Sequence, residues 1–132
     1  MCVFCKIISG EYSSSKIYED DKVLAILDLS QATVGHTLVM PKNHYENIFD
    51  LDSEVAGHLF KVVKQISNHY QKAIPNLKGI NLLNNNGQKA GQTVMHYHMH
   101  IIPRYEDDDL VDMKFTEHKL NLQELSEKLK IK

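Results

Sequence analysis

From Met95 to Ile102 the chain alternates between imidazole and apolar side chains: His96, His98 and His100 fall on one parity, and Met95, Tyr97, Met99 and Ile101 on the other. Side chains of a strand point to opposite faces with period two, so this alternation makes two surfaces and predicts a half-buried strand. The apolar surface requires a core to pack on, and the imidazole row is expected on the open side. Successive histidines on one face stand roughly 6.6 Å apart, from a rise of about 3.3 Å per residue. A phosphate or a metal ion can be bracketed at that spacing. Three imidazoles in five residues, in a chain with eight histidines, mark the stretch as the expected seat of chemistry. The alternative is a surface strand that carries histidines by chance.

The flanking chain supplies the partners such a strand needs. Residues 3–9 read as an apolar turn or short helix, closed by Gly10. Residues 16–19 and 22–28 are strand-like and meet at Asp20-Asp21 as a hairpin, with Asp28 ending the second strand on a definite face. Residues 31–35 form a loop, and residues 36–40 a third strand halted by Pro41. Asp52 is the expected N-cap of a long helix whose stripe is Val55, Leu59, Val62, Val63, Ile66 and Tyr70, and Pro75 ends it. Residues 79–84 make a fourth strand, Asn84-Asn85-Asn86-Gly87 a turn, and residues 89–92 a loop into the histidine strand. Glu106 to Asp109 reads as a solvated linker; Leu120, Leu122, Leu125, Leu129 and Ile131 read as an amphipathic C-terminal helix.

Strands on either side of one long helix, with hairpin-length connections, predict an α+β domain. Its antiparallel sheet has about five strands with the helix on one face, leaving the other face free for a ligand. A length of 132 residues predicts a single domain over 1–132, with a core at 2–104 and a variable tail at 105–132. The net charge of −2 offers no basic field for a nucleic-acid polymer. Apolar runs are short and interrupted by charge, and no leader pattern opens the chain, so no membrane span and a cytoplasmic location are expected. In that compartment Cys2 and Cys5 predict a redox or metal pair rather than a structural disulfide.

The stretch His96-Tyr97-His98-Met99-His100-Ile101-Ile102 follows the pattern His-φ-His-φ-His-φ-φ, with φ apolar or aromatic. It resembles the signature of the histidine triad (HIT) superfamily. Phe4-Cys5-Lys6-Ile7-Ile8, Tyr18-Glu19-Asp20-Asp21, Leu27-Asp28-Leu29, Gly35 through Lys42, and Gly91-Gln92-Thr93 resemble segments of the same family in the same order. The likeness spans residues 2–104 and is greatest to bacterial zinc-containing members of the small nucleoside phosphoramidase-like branch.

The resemblance implies hydrolysis or transfer at the α-phosphorus of nucleoside 5′-phosphate derivatives, such as purine nucleoside phosphoramidates or dinucleoside polyphosphates. His98 would be the nucleophile and form a nucleotidyl-histidine intermediate, a role suited to neutral imidazole. His100 would donate to phosphate oxygens beside His36, and Thr93 would stand where a serine is usual, its hydroxyl on the leaving group or a phosphate oxygen. Protonated imidazole, with backbone or hydroxyl donors, is expected to meet the developing charge. Gln92 and Asn85 match phosphate-side and ribose-side contacts, and Asp28 matches the acceptor of both ribose hydroxyls. Phe4, Ile7, Ile26 and Leu29 match an apolar cleft for the base. Read without the family, Asp28 is equally a capping residue, and plain core packing is the commoner fate of the four apolar residues, more so for Phe4 and Ile7 than for Ile26 and Leu29.

The resemblance also implies a structural zinc held by Cys2, Cys5, His44 and His96, since a tetrahedral site needs four ligands and the cysteine pair supplies two. Two reduced cysteines without metal are the alternative. No magnesium requirement is expected, because neither a Walker loop nor a magnesium-type carboxylate pair is present. His58, His69 and His118 match nothing and read as surface residues. Relatives form homodimers, which would place an interface on the 53–74 helix and the following strand. Two other functions fit the histidine row: a hydrolase in which His96, His98 and His100 ligate a catalytic zinc, and a nucleotide-binding sensor without turnover.

Overall fold

Asp20 makes the first reversal of the chain in the computed structural model, which describes residues 2–106 and 114–132. Its carboxylate accepts from the backbone N–H of Lys22 and of Val23, each at 2.8 Å, and its own N–H donates to the Val23 carbonyl at 3.0 Å. The side chain thereby imitates a backbone turn, and strands β1 (Lys16–Glu19) and β2 (Val23–Leu27) fold back as the expected hairpin. β3 (Thr37–Pro41) pairs with β2 from Val23↔Pro41 to Leu27↔Thr37. Pro41 belongs to the strand as its last residue.

A long helix, α2 (Ser53–Ala73), follows. The Asp52 carboxylate accepts from Glu54 and Val55 N–H as its N-cap, and Pro75 follows the C-cap residue Ile74. β4 (Gly79–Leu83) and β5 (Met99–Arg104) complete a five-stranded sheet of order β1-β2-β3-β5-β4, antiparallel at every junction. A single 3-10 turn, Gln88–Ala90, lies between those two strands.

The α2 stripe packs on one face of the sheet. Leu59, Val62, Val63, Ile66 and Tyr70 bury against Val23, Ala25, Val39, Tyr97 and Ile101. Within this layer the Tyr70 hydroxyl lies 2.6 Å from Thr37 Oγ1, which donates to the Gly35 carbonyl. Tyr70→Phe removes one buried hydrogen bond, with an expected loss of about 1–2 kcal/mol. A lower denaturant midpoint at unchanged m-value would record it.

The opposite face differs from expectation. A short helix, α1 (Val3–Ile8), lies across it, and Phe4 buries against Leu24, Ile26, Leu38 and Met40. β2 and β3 are consequently covered on both sides, as their uninterrupted apolar runs demand. The expected histidine strand is also shorter. β5 begins at Met99 because its neighbours run out: β3 pairs with it only as far as Val39↔Met99, and β4 as far as Leu83↔His100. The preceding residues bond elsewhere, Tyr97 N–H to the Tyr45 carbonyl at 2.6 Å and the His98 carbonyl to Asn84 Nδ2 at 2.9 Å. Only His100 of the three histidines sits in the strand.

The C-terminal helix α3 (Leu122–Leu129) forms where the apolar pattern predicted it, capped by Asn121. None of its side chains is buried, and Leu120, Leu122, Leu129 and Ile131 are exposed. Of the expected acidic linker, Glu106 is exposed and residues 107–109 lie outside the described residues. No helix among the described residues is long and apolar enough to cross a membrane.

Candidate active site

Parity survives although the strand does not extend through His96. Tyr97 and Met99 turn to the α2 side, while His96 and His98 turn to α1. There the Phe4 ring meets both edge-on, its centroid 5.8 Å from that of His96 and 5.0 Å from that of His98. His96 is fully buried and His98 is 6% exposed, so the imidazole row is capped rather than open.

The proton on His98 is fixed by its neighbour. His98 Nδ1 lies 2.7 Å from the His96 carbonyl oxygen, which can only accept, so Nδ1 carries the hydrogen and Nε2 keeps its lone pair. Burial pushes the His98 pKa below the ordinary range, against the opposing pull of that hydrogen bond. The result is a neutral imidazole with a bare Nε2.

A second chain of bonds sets His100. The Ala32 N–H donates to His36 Nδ1 at 3.1 Å, so His36 carries its proton on Nε2. That nitrogen lies 2.9 Å from His100 Nδ1 and 3.5 Å from Asp28 Oδ2. His100 Nδ1 therefore accepts and its Nε2 holds a hydrogen. Burial, then the neighbouring imidazoles of His98 and His36, push the His100 pKa down to about 4. In its neutral form His100 is thus an N–H donor through Nε2. Asp28 Oδ1 accepts from Ser30 N–H at 2.8 Å, leaving Oδ2 as the less engaged oxygen.

Cys2, Cys5, His44 and His96 form a separate cluster, with ligating atoms all within 4.8 Å of one another. Sulfur to imidazole Nδ1 distances are 3.4–3.6 Å, and the two Nδ1 atoms are 3.1 Å apart. A tetrahedron with zinc-like bonds of about 2.0–2.3 Å has edges of roughly 3.3–3.8 Å, so the set fits. His96 Nε2 lies 2.8 Å from the Pro41 carbonyl oxygen and donates to it, which bares Nδ1 towards the cysteines. A metal-bound histidine uses its second nitrogen in this way. Burial, followed by the hydrogen bond to Cys2, raises the Cys5 pKa in the absence of a cation.

Asp28, His36 and His100 also cluster. Their wiring is opposite: His36 Nδ1 accepts from Ala32, so its Nε2 holds a proton where a metal would need a lone pair. His96, His98 and His100 do not form a metal-holding group among the described residues. The geometry therefore separates a thiol–imidazole metal set from a proton-wired imidazole set.

The other residues named from the sequence are placed as follows. Gln92 is 3% exposed, and its amide is spent on the loop: Oε1 accepts from Gly87 N–H, and Nε2 donates to the Glu46 and Val94 carbonyls. Thr93 is exposed and Asn85 is half-buried against Gly91. Ile26 is buried beside Phe4, Ile7 packs on the same cluster, and Leu29 is fully exposed.

Sequence reasoning missed three supports. Gln31 ties the 28–36 loop, and Asn84 holds the His98 carbonyl. His58 is not a bare surface residue: its Nε2 lies 2.6 Å from Asp20 Oδ2, which also accepts from the Tyr18 hydroxyl. Only the Asp20-Asp21 turn hinted at the last, since a turn carboxylate commonly has oxygens to spare.

The HIT domain family model matches residues 9–107. A Bacillus subtilis protein named protein hit is 54% identical over 108 residues, 82% of this chain and 74% of that protein. An Arabidopsis thaliana protein named adenylylsulfatase HINT3 is 47% identical over 109 residues, 83% of this chain and 55% of its own length. Among solved structures, a HIT family protein from Bacillus anthracis superposes with a TM-score of 0.88 at 51% identity, covering 97% of this chain and 94% of that one. A zinc-bound histidine triad family protein from Mycobacterium smegmatis superposes with a TM-score of 0.79 at 37% identity, covering 88% and 84%.

Proposed function

Because the chain belongs to the histidine triad (HIT) family, we propose that it binds a purine nucleoside 5′-phosphate derivative and cleaves it at the α-phosphorus through His98. The observation that carries this reading is the bond from His98 Nδ1–H to the His96 carbonyl, which leaves Nε2 bare on a side chain that is 6% exposed. Nε2 attacks phosphorus, an N–P bond forms, and the leaving group departs with the electron pair of the broken bond. Water then attacks phosphorus, the N–P pair returns to Nε2, and the proton of water passes to solvent. A relative named adenylylsulfatase supports hydrolysis as the outcome.

His100 donates its Nε2–H to a non-bridging phosphate oxygen as charge develops there. Neutral donors aimed in advance at such an oxygen are effective because nothing has to reorient during the reaction. Asp28 Oδ2 accepts from the ribose hydroxyls and Asn85 borders the same side. The exposed Thr93 hydroxyl reaches the leaving group, while Gln92 shapes the loop that presents it. Phe4, Ile7, Ile26 and the exposed Leu29 side chain line the base cleft.

Zinc held by Cys2, Cys5, His44 and His96 is part of this proposal, supported by the donor geometry and by the zinc-bound relative. When bound it supplies cross-linking, tying α1 to the segment that carries the nucleophile. A homodimer would use the faces that expose Phe60 on α2 and Leu82 on β4.

Rapid quenching of the protein with excess adenosine 5′-phosphoramidate tests the reaction. The expected result is an intact-mass increase of one adenylyl group, mapped to His98, with AMP as the released product. Because burial lowers the pKa of His98, its neutral form persists below the ordinary value of about 6.5. The acid limb of kcat/KM should therefore lie below that pH. Tight AMP binding without a labelled histidine or turnover would favour a sensor instead.

A further inference from the structure

The structure assigns a positioning role to Gln31: its side-chain amide holds the 28–36 loop so that the Ala32 N–H fixes the tautomers of His36 and, through it, of His100. This rests on the reading of His100 as the phosphate-side donor. The Gln31 amide bonds the backbone of Asp28, Gly35 and His36, not the imidazole or carboxylate groups that face the substrate in that reading.

The amide is fully used. Oε1 accepts from the N–H of Gly35 at 2.8 Å and of His36 at 3.1 Å. Nε2 donates to the carbonyls of Asp28 at 2.6 Å and His36 at 2.8 Å. Two donors and two acceptor lone pairs are the whole capacity of one amide. Gly35 allows the arrangement: its φ is +98°, and a Cβ there would stand 3.1 Å from Pro103 Cγ. Both ends of the loop, Asp28 and His36, are thereby drawn to one side chain, and the next residue in the chain presents its N–H to His36 Nδ1 at 3.1 Å.

The consequence is a polarity. A backbone amide can only donate, so with Ala32 in place the hydrogens run one way, from Ala32 to His36 to His100 and out into the cleft. With the loop loosened, His36 is free to protonate Nδ1 and present a bare Nε2. His100 would then donate from Nδ1 back to His36, leaving a lone pair on Nε2 against the phosphate oxygens. Two relocated ring protons, one on His36 and one on His100, turn attraction into repulsion.

Side-chain nitrogen NMR of the zinc-loaded protein, combined with kinetics, tests this in Gln31→Ala, Gln31→Glu and Thr33→Val. Gln31→Glu keeps the acceptors and loses both donors, so it serves where the alanine variant fails to fold. The Thr33 hydroxyl ties the same loop to the Pro103 carbonyl at 2.6 Å, while its backbone carbonyl accepts from the His36 N–H at 3.1 Å; Thr33→Val removes the first bond and keeps the second, and is the control for plain loosening.

In the unsubstituted protein His36 and His100 should both be Nε2–H tautomers. Either Gln31 variant should mix them and lower kcat by on the order of tenfold or more, towards the 10²–10³-fold cost of removing an oxyanion donor, with KM changed less than about threefold. Thr33→Val should keep the tautomers. Unchanged tautomers in the Gln31 variants overturn the inference, as does an Nδ1–H His100 in the unsubstituted protein or equal mixing in Thr33→Val. The expected tautomers without turnover would instead overturn the proposed reaction and leave this positioning established.

Discussion

His98→Ala is expected to lower turnover of a nucleoside 5′-phosphoramidate by at least about 10⁴-fold, the scale on which enzymes lose a covalent nucleophile. The physical ground is that no other imidazole in the cleft offers a bare nitrogen. His96 Nδ1 faces the cysteines, and His100 Nδ1 is taken by His36. Truncation also removes the edge-on contact with Phe4, so some stability is lost with the ring. His98→Gln fills more of that space and separates the two effects. Both variants should keep the far-UV circular dichroism of the parent and still bind AMP, while neither accumulates the adenylylated species. Turnover within tenfold of the parent in either folded variant would remove His98 from the nucleophile's position.

Stripping the zinc proposed at Cys2, Cys5, His44 and His96 is expected to have the next largest effect, and on stability rather than on chemistry. A ligand present at about a thousandfold over its dissociation constant stabilises the folded state by about 4 kcal/mol. In a chain of this size that corresponds to a fall in Tm on the order of 10–20 °C when the ion is lost. Cys5→Ser, which leaves three of the four ligands, should reproduce most of the fall. The structural reason is the position of α1: Cys2 caps that helix by accepting the Cys5 N–H, and Phe4 on the same turn covers His98. Releasing the cysteines frees the helix that covers His98. Activity should therefore decline with the slow loss of α1 packing and not at the moment a chelator is added. Immediate loss in a protein whose spectrum and Tm are unchanged would make the metal catalytic and contradict the structural assignment.

Different parts of this molecule were legible to different degrees, for identifiable reasons. The α2 stripe was readable because five of its apolar residues recur at helical spacing and one carboxylate caps its start. The Asp20 turn was readable because the hydrogen bonds that make it are local, within three residues. The histidine strand was half readable. Parity gave the correct two faces, but where the strand begins depends on how far β3 and β4 extend beside it. Capping of the histidine row by Phe4 joins residues more than ninety positions apart. No periodicity encodes such a contact.

The sequence by itself determined which residue types could meet: alternating imidazoles on one face, a cysteine pair near the N-terminus, a carboxylate ending β2, and enough apolar pattern for a sheet with a helix on it. Only the tertiary structure decided which nitrogen of each imidazole carries the hydrogen. That choice was made by backbone groups brought alongside by folding, the carbonyls of His96 and Pro41 and the N–H of Ala32. A histidine has the same composition in either tautomer, so its chemistry is set by the partner its ring finds. Here the partners bare Nδ1 of His96 towards the cysteines and Nε2 of His98, and leave His100 a hydrogen on Nε2.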